Sequence, residues 1–154
     1  MNTIIVYHST HHGNTKKLLD AIKEADPSVT LVDITKSQPE NLSEYDVIGV
    51  ASGIYFSTFH KEMLEYLEKN LPEGKRVFAV YTCGAMVKTY ARDVKAYAEK
   101  RHCEWLGDYG CLGWDTIGPF RVIGGIAKGH PTEDEIAGAV DFYKRIKNFA
   151  NFGE

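Results

Sequence analysis

The chain has 154 residues, 44% of them hydrophobic and 12% aromatic, with 18 Lys and Arg against 21 Asp and Glu for a formal net charge of −3. That composition predicts one globular domain over 1–154, large enough to hide about two-thirds of its unfolded surface and to fold without disulfides or a structural metal. It excludes the basic stripe that nucleic acid requires, and no run of about 18 apolar residues is present to span a membrane.

Met1-Asn2-Thr3-Ile4 lacks a charged n-region and a long apolar h-region, so it is read as the first strand and not as a secretory signal. Cys83, Cys103 and Cys111 are odd in number, widely spaced and free of any CxxC. That pattern predicts free thiols in a reducing cytoplasm.

Along the chain, Thr3 to Tyr7 carries the apolar run Ile4-Ile5-Val6, the mark of a strand buried on both faces. A polar loop, His8 to Thr15, precedes a helix whose stripe is Leu18, Leu19, Ile22 and Ala25. Asp26-Pro27 ends it, because the residue before proline is pushed out of the helical region. Val29 to Ile34 is a second strand, 35–45 a loop or short helix, and Val47 to Ser52 a third, buried strand. Met63, Leu64, Leu67 and Leu71 mark a helix stopped by Pro72 and Gly74. Val77 to Thr82 is the fourth strand, and Ala91, Val94, Tyr97 and Ala98 mark the next helix. Cys103 to Leu112 is a more polar fifth strand, suited to an edge, followed by a Gly-rich loop from Gly113 to Pro131. The last helix opens on the capping box Thr132-x-x-Glu135.

Strands alternating with helices predict an α/β fold: a doubly wound, five-stranded parallel sheet, with order 2-1-3-4-5 favoured. In such a sheet a ligand lies beyond the carboxyl ends of the strands, at the switch point between strands one and three. The loops of interest are therefore 8–15, 53–60, 83–89 and 113–131.

The first loop concentrates hydroxyls around one glycine at a helix start: Ser9, Thr10, Gly13, Asn14 and Thr15. One such residue would suffice as an N-cap. Four of them, with the partial positive charge of a helix N-terminus, suit a phosphate. The loop is neither a Walker sequence nor a three-glycine dinucleotide fingerprint, and strand three ends in Ser52-Gly53, not in a receiver's aspartate. A small phosphate monoester held mainly by neutral donors fits better.

Here the sequence resembles the flavodoxin family, whose fingerprint after strand one is T/S-x-T-G-x-T. Aligned on the glycine, this chain reads Thr10-His11-His12-Gly13-Asn14-Thr15, with His12 where a hydroxyl is usual. The resemblance covers nearly the whole chain and is to the short form of the family. It implies a flavodoxin-like fold, with FMN as cofactor and its phosphate in the loop Ser9, Thr10, His11, His12, Gly13, Asn14 and Thr15. The phosphate charge would favour the imidazolium of His12.

Ser52-Gly53-Ile54-Tyr55-Phe56 then corresponds to the loop at the reactive flavin edge, with the Gly53 peptide facing N5. Tyr55 and Phe56 are able to stack on a flat ring, or simply to pack in the core. Thr82-Cys83-Gly84 corresponds to the loop on the pyrimidine side. Cys83 has no evident histidine partner and is read as a buried thiol. His8, His11, His12 and His60 show no i, i+4 helical pair and no nearby carboxylate, so a metal site is not expected. The 113–131 segment resembles stretches of bacterial flavodoxin-like proteins. Trp114 and Phe120 are placed to edge the flavin, and Arg121, Lys128 and His130 to meet a partner or substrate. A plain connection over the last helix is the alternative.

The resemblance thus implies an FMN-binding electron carrier working between redox partner proteins, a reductase and an acceptor. Two alternatives remain open. One is an FMN-dependent oxidoreductase acting on a quinone or a protoporphyrinogen-like substrate, since Ser52-Gly53-Ile54-Tyr55 with His60 also resembles flavodoxin-like protoporphyrinogen oxidases. In that reading His130 or Tyr55 donates a proton. The other is a non-catalytic FMN-binding interaction module. A net charge of −3 is weak for a carrier that docks through acidic patches.

Overall fold

The structure is a computed structural model that describes residues 1–9, 12–37, 41–116 and 118–152. All six residues of β1 (Thr3–His8) are buried. An Ile-Ile-Val run leaves no face for water, so β1 lies inside the sheet. β2 (Thr30–Asp33) runs parallel to it on one side and β3 (Val47–Tyr55) on the other. β3 turns back into the two-residue β4 (Thr58–Phe59), and β5 (Arg76–Cys83) and β6 (Glu104–Leu112) extend the parallel sheet. The order is β2-β1-β3-β5-β6. Counting only the parallel strands, this is the order expected from the sequence.

Among the described residues four α-helices cover the sheet: α1 (Asn14–Ala25), α2 (Lys61–Asn70), α3 (Arg92–Lys100) and α4 (Glu133–Phe152). Successive strand residues face opposite ways. Ile4, Val6, Ile48, Val77 and Ala79 pack with Met63 and Leu67 of α2 and Val94 and Ala98 of α3. Ile5, Tyr7, Phe78 and Val80 pack with Leu18 and Ile22 of α1 and Phe142 and Tyr143 of α4. Phe78 reaches across β3 at Gly49, where a Cβ would stand 2.5 Å from its Cζ. Asp26, just past α1, ties that helix to α4 by accepting from the Tyr143 hydroxyl and the Lys147 ammonium, both at 2.7 Å. Burial would raise the Asp26 carboxyl, but the bonds from Lys147, Ser28 and Tyr143 hold it far below the usual carboxylate range.

Two segments differ from the sequence expectation. The third strand does not stop at Ser52. Its parallel neighbours run out at Ser52 and Gly53, so the next backbone groups find partners by folding back, with Ile54 opposite Phe59 and Tyr55 opposite Thr58. The turn is Phe56-Ser57, both left-handed (φ 51 and 67), a conformation ordinarily taken by Gly, Asn or Asp. No turn residue announced it.

The segment 113–131 is also not an open loop. Asp115 and Ile126 exchange backbone bonds of 2.9 and 2.7 Å, the Trp114 amide donates to the His130 carbonyl at 3.1 Å, and residues Gly118–Ile123 form a short 3₁₀ turn at the tip. It is a strap closed on itself. The capping box at the start of α4 is formed as expected: the Thr132 amide donates to Glu135 at 2.9 Å, and the Glu135 amide to the Thr132 hydroxyl at 3.2 Å. Among the described residues, no helix is long and apolar enough to cross a membrane, and all three cysteines are free and buried.

Candidate functional site

The carboxyl ends of β1, β3, β5 and β6 meet at one pocket of about 20 Å³, room for little more than one water. Ser9, Asn14 and Thr15 line it from the first loop, and Gly53, Ile54 and Tyr55 from the end of β3. Thr82, Cys83 and Gly84 come from the end of β5, and Gly113, Trp114 and Asp115 from the strap. Ten of the residues singled out in the sequence, Trp114 among them, thus converge there.

The others stand differently. Ser52 lies beneath, fully buried, donating to the Gly53 carbonyl at 2.6 Å and accepting from the His60 amide at 3.1 Å. Phe56 points to solvent, 93% exposed, so in this structure it stacks on nothing in the pocket. Thr10, His11 and the side chain of Phe120 lie outside what the structure describes.

His12 (φ 56) and Gly13 (φ 66) are both left-handed and run directly into the right-handed α1. The step from left-handed Gly13 to right-handed Asn14 is the backbone pairing found in anion-binding nests. The first bonds of the helix are Lys16 N–H to the Ser9 hydroxyl (3.2 Å) and Lys17 N–H to the Gly13 carbonyl (3.2 Å). The amides ahead of them lie in the helix turn that has no intrahelical acceptors. The Thr15 and Thr82 hydroxyls are bonded to each other at 2.8 Å.

Asn14 departs from its expected donor role. Its Nδ2 donates to the Trp114 carbonyl at 2.8 Å, and its Oδ1 is buried with no hydrogen-bond partner in a residue only 6% exposed. The group it offers is an acceptor. His12 is likewise engaged by the strap: its ring stacks on Trp114 at 3.9 Å, and its Nε2 is bonded to the Thr116 hydroxyl at 2.9 Å. Lys128 Nζ lies over the Trp114 ring, 5.7 Å from its centre, a cation–π contact. Sequence reading missed Gly113 and Asp115 as lining residues, and their only signal was their place beside Trp114.

Burial, with the Glu135 and Asp115 carboxylates adding to it, pushes the Cys83 thiol up to about 12. It stays protonated and is no nucleophile at neutral pH. Burial would also raise Glu135, but bonds from the Thr132 amide, His130 and the Leu112 amide hold it below the usual carboxylate range.

The metal expectation needs correcting in one respect. A carboxylate does come near the histidines: His8, His60 and Glu62 place their ligand-type atoms within 4.8 Å of one another. The fold makes this grouping, because β1 ends beside the start of α2. The His8 and His60 rings stack at 3.7 Å and 15°, so their in-plane lone pairs run side by side. His60 Nδ1 accepts the Glu62 amide at 3.1 Å and caps α2. Tyr55 stands edge-on to both rings, at 6.4 and 4.8 Å.

His8 is 3% exposed. Burial first, and then His60, lower its pKa against the opposing pull of Glu62. An imidazole with a depressed folded pKa takes up a proton on unfolding, so stability falls as pH drops below the unfolded value of about 6.5. We expect the urea midpoint to fall between about pH 7 and 5.5, and His8→Phe, which keeps a stacking ring, to flatten that fall. Equal losses in both proteins would clear His8 of the effect.

The sequence matches the flavodoxin domain family over residues 5–106. The chain belongs to that family. A relative from Methanocaldococcus jannaschii, described as an uncharacterized protein, is 34% identical over 148 residues, spanning 95% of this chain and 98% of its own. The fold is similar to a flavodoxin from the domain Archaea, with a TM-score of 0.70 at 19% identity over 96% of this chain and 99% of that one. It is also similar to a flavoprotein from Lactobacillus acidophilus solved in complex with FMN, with a TM-score of 0.58 at 16% identity over 71% of this chain and 92% of that one. In this flavodoxin-family chain the pocket sits at the switch point between β1 and β3, as a doubly wound sheet requires.

Proposed function

We propose that this chain binds FMN and carries electrons between redox partner proteins in the cytoplasm. The observation that carries the reading is the first loop: a backbone nest of neutral donors beside a buried, unpartnered Asn14 acceptor. The residues fit FMN. The Gly13–Thr15 amides and the Ser9 and Thr15 hydroxyls would hold the phosphate. Asn14 Oδ1 would accept a ribityl hydroxyl, and Tyr55, Gly53 and the Thr82–Gly84 turn would flank the ring. FMN supplies one- and two-electron chemistry when bound. The protein has only to bind, orient and shield it, and the protonated Cys83 keeps a competing nucleophile out of the pocket.

Beside Trp114 the pocket adjoins a second cavity of about 250 Å³, lined by His12, Asn14, Lys17 and His130, which widens the space a flavin would use. The test is the visible spectrum of the protein after addition of FMN, followed by electron exchange with a ferredoxin reductase. The two-banded flavin absorption and rapid reduction are expected. No flavin binding would defeat the proposal. Flavin binding without electron exchange would favour a non-catalytic module.

A second reading is an FMN-dependent oxidoreductase acting on a quinone or protoporphyrinogen-like substrate. One observation favours it: His130 Nδ1 is hydrogen-bonded to Glu135, which fixes the tautomer and leaves Nε2 for proton exchange. Rapid turnover of either substrate would make this the better reading.

A further inference from the structure

We infer that the face around the pocket docks an acidic redox protein, not the basic partner that an acidic carrier would take. The inference rests on the carrier reading above and names the chemistry of the partner. β3, β5 and β6 are neighbours running in one direction, so the turns at their carboxyl ends stand side by side around the same pocket.

Each of those turns shows apolar side chains to water: Phe56 after β3, Met86 and Val87 after β5, and Val122 (88% exposed) and Ile123 in the strap. Phe56 is there at a cost. A left-handed Phe56-Ser57 turn without glycine is strained, and its result is an aromatic ring in solvent, from which folding gains nothing. Clustered exposed apolar groups around a pocket mark a contact surface.

Charge decides the partner. Residues 56–60, 84–91 and 113–132 contain three cations, Lys88, Arg121 and Lys128, against one carboxylate, Asp115. Asp115 is turned inward, within 2.6 Å of where a Gly84 Cβ would be. These segments therefore total +2 in a chain of −3, leaving −5 for the rest. Among the described residues none of these three cations has a carboxylate within 4 Å to neutralise it.

At the helix starts, Lys61 offsets Glu62 and Arg92 offsets Asp93. Glu133 and Asp134 of α4 bound the cationic face on one side. The N-terminal ends of all four helices add their partial positive charge. An apolar centre flanked by cations that have no carboxylate beside them fits a small, transient, salt-sensitive complex with an acidic protein surface.

The test uses the FMN-loaded protein, chemically reduced and mixed in a stopped-flow instrument with ferric cytochrome b5, which is acidic, or ferric cytochrome c, which is basic. Each ferric haem takes one electron from the reduced FMN. The rate to cytochrome b5 is expected to fall about fivefold between about 20 and 300 mM salt, while the rate to cytochrome c stays flat or rises. Lys88→Glu/Arg121→Glu should invert both slopes with the flavin spectrum unchanged, and Phe56→Ser should lower the cytochrome b5 rate at every salt concentration. A cytochrome c rate that falls with salt, or pelleting of the protein with phosphatidylserine vesicles, would overturn the docking inference while the spectrum stands. Loss of the flavin spectrum itself would overturn the carrier reading and this inference together.

Discussion

Thr15→Val is expected to weaken FMN binding about 10- to 100-fold, the worth of one hydrogen bond to a charged group at roughly 1.5–3 kcal/mol. Valine keeps the shape of threonine, so the space beside Thr82 is preserved and only the hydroxyl is lost. In the protein the Thr15 and Thr82 hydroxyls share one bond at 2.8 Å, and the pair has one hydrogen left to give. The proposed recipient is the FMN phosphate. Riboflavin, which lacks that phosphate, should bind native and variant protein within about threefold, a difference below one hydrogen bond. Fluorescence titration of both ligands checks it. Equal losses for riboflavin and FMN would move the phosphate elsewhere in the site.

The largest stability effect is expected at Phe78. Phe78→Ala should cost about 3–5 kcal/mol, seen as a fall in the urea midpoint with little change in slope. The ring is fully buried, stands over Gly49, and meets the rings of Phe142 and Tyr143 at 6.0 and 6.3 Å. Gly49 has no side chain to fill the space, so the hole would remain. A loss under about 1.5 kcal/mol would mean that α4 closes down onto the sheet, the partial relaxation that sets the scatter in such substitutions.

The first loop shows what a sequence can and cannot tell about a site. Its residue types pointed to a phosphate, and its backbone is left-handed at His12 and Gly13 just before the helix. The individual roles did not follow. Asn14 and Trp114 are 100 residues apart, and His12 and Thr116 are 104 apart. Which atom of an amide remains available depends on such distant partners. The His8–His60–Glu62 grouping was hidden for the same reason, since β1 and α2 become neighbours only through the sheet. The turn at Phe56 was hidden for a different one: its residues have no preference for the left-handed conformation they adopt.

By itself the sequence determined the alternation of parallel strands with helices, the five-stranded parallel sheet and the capped last helix. Each rests on local rules: apolar period, turn chemistry, capping and handed crossovers. Tertiary structure decided which donors stay available, which turn shows its aromatic ring to water, and that the strap lines the pocket. Those outcomes depend on contacts between segments far apart in the chain, to which local preference is blind. The opening charge of −3 has the same lesson in it. A net value is fixed by composition, but only the fold brings the separate segments that carry Lys88, Arg121 and Lys128 to one end of the sheet.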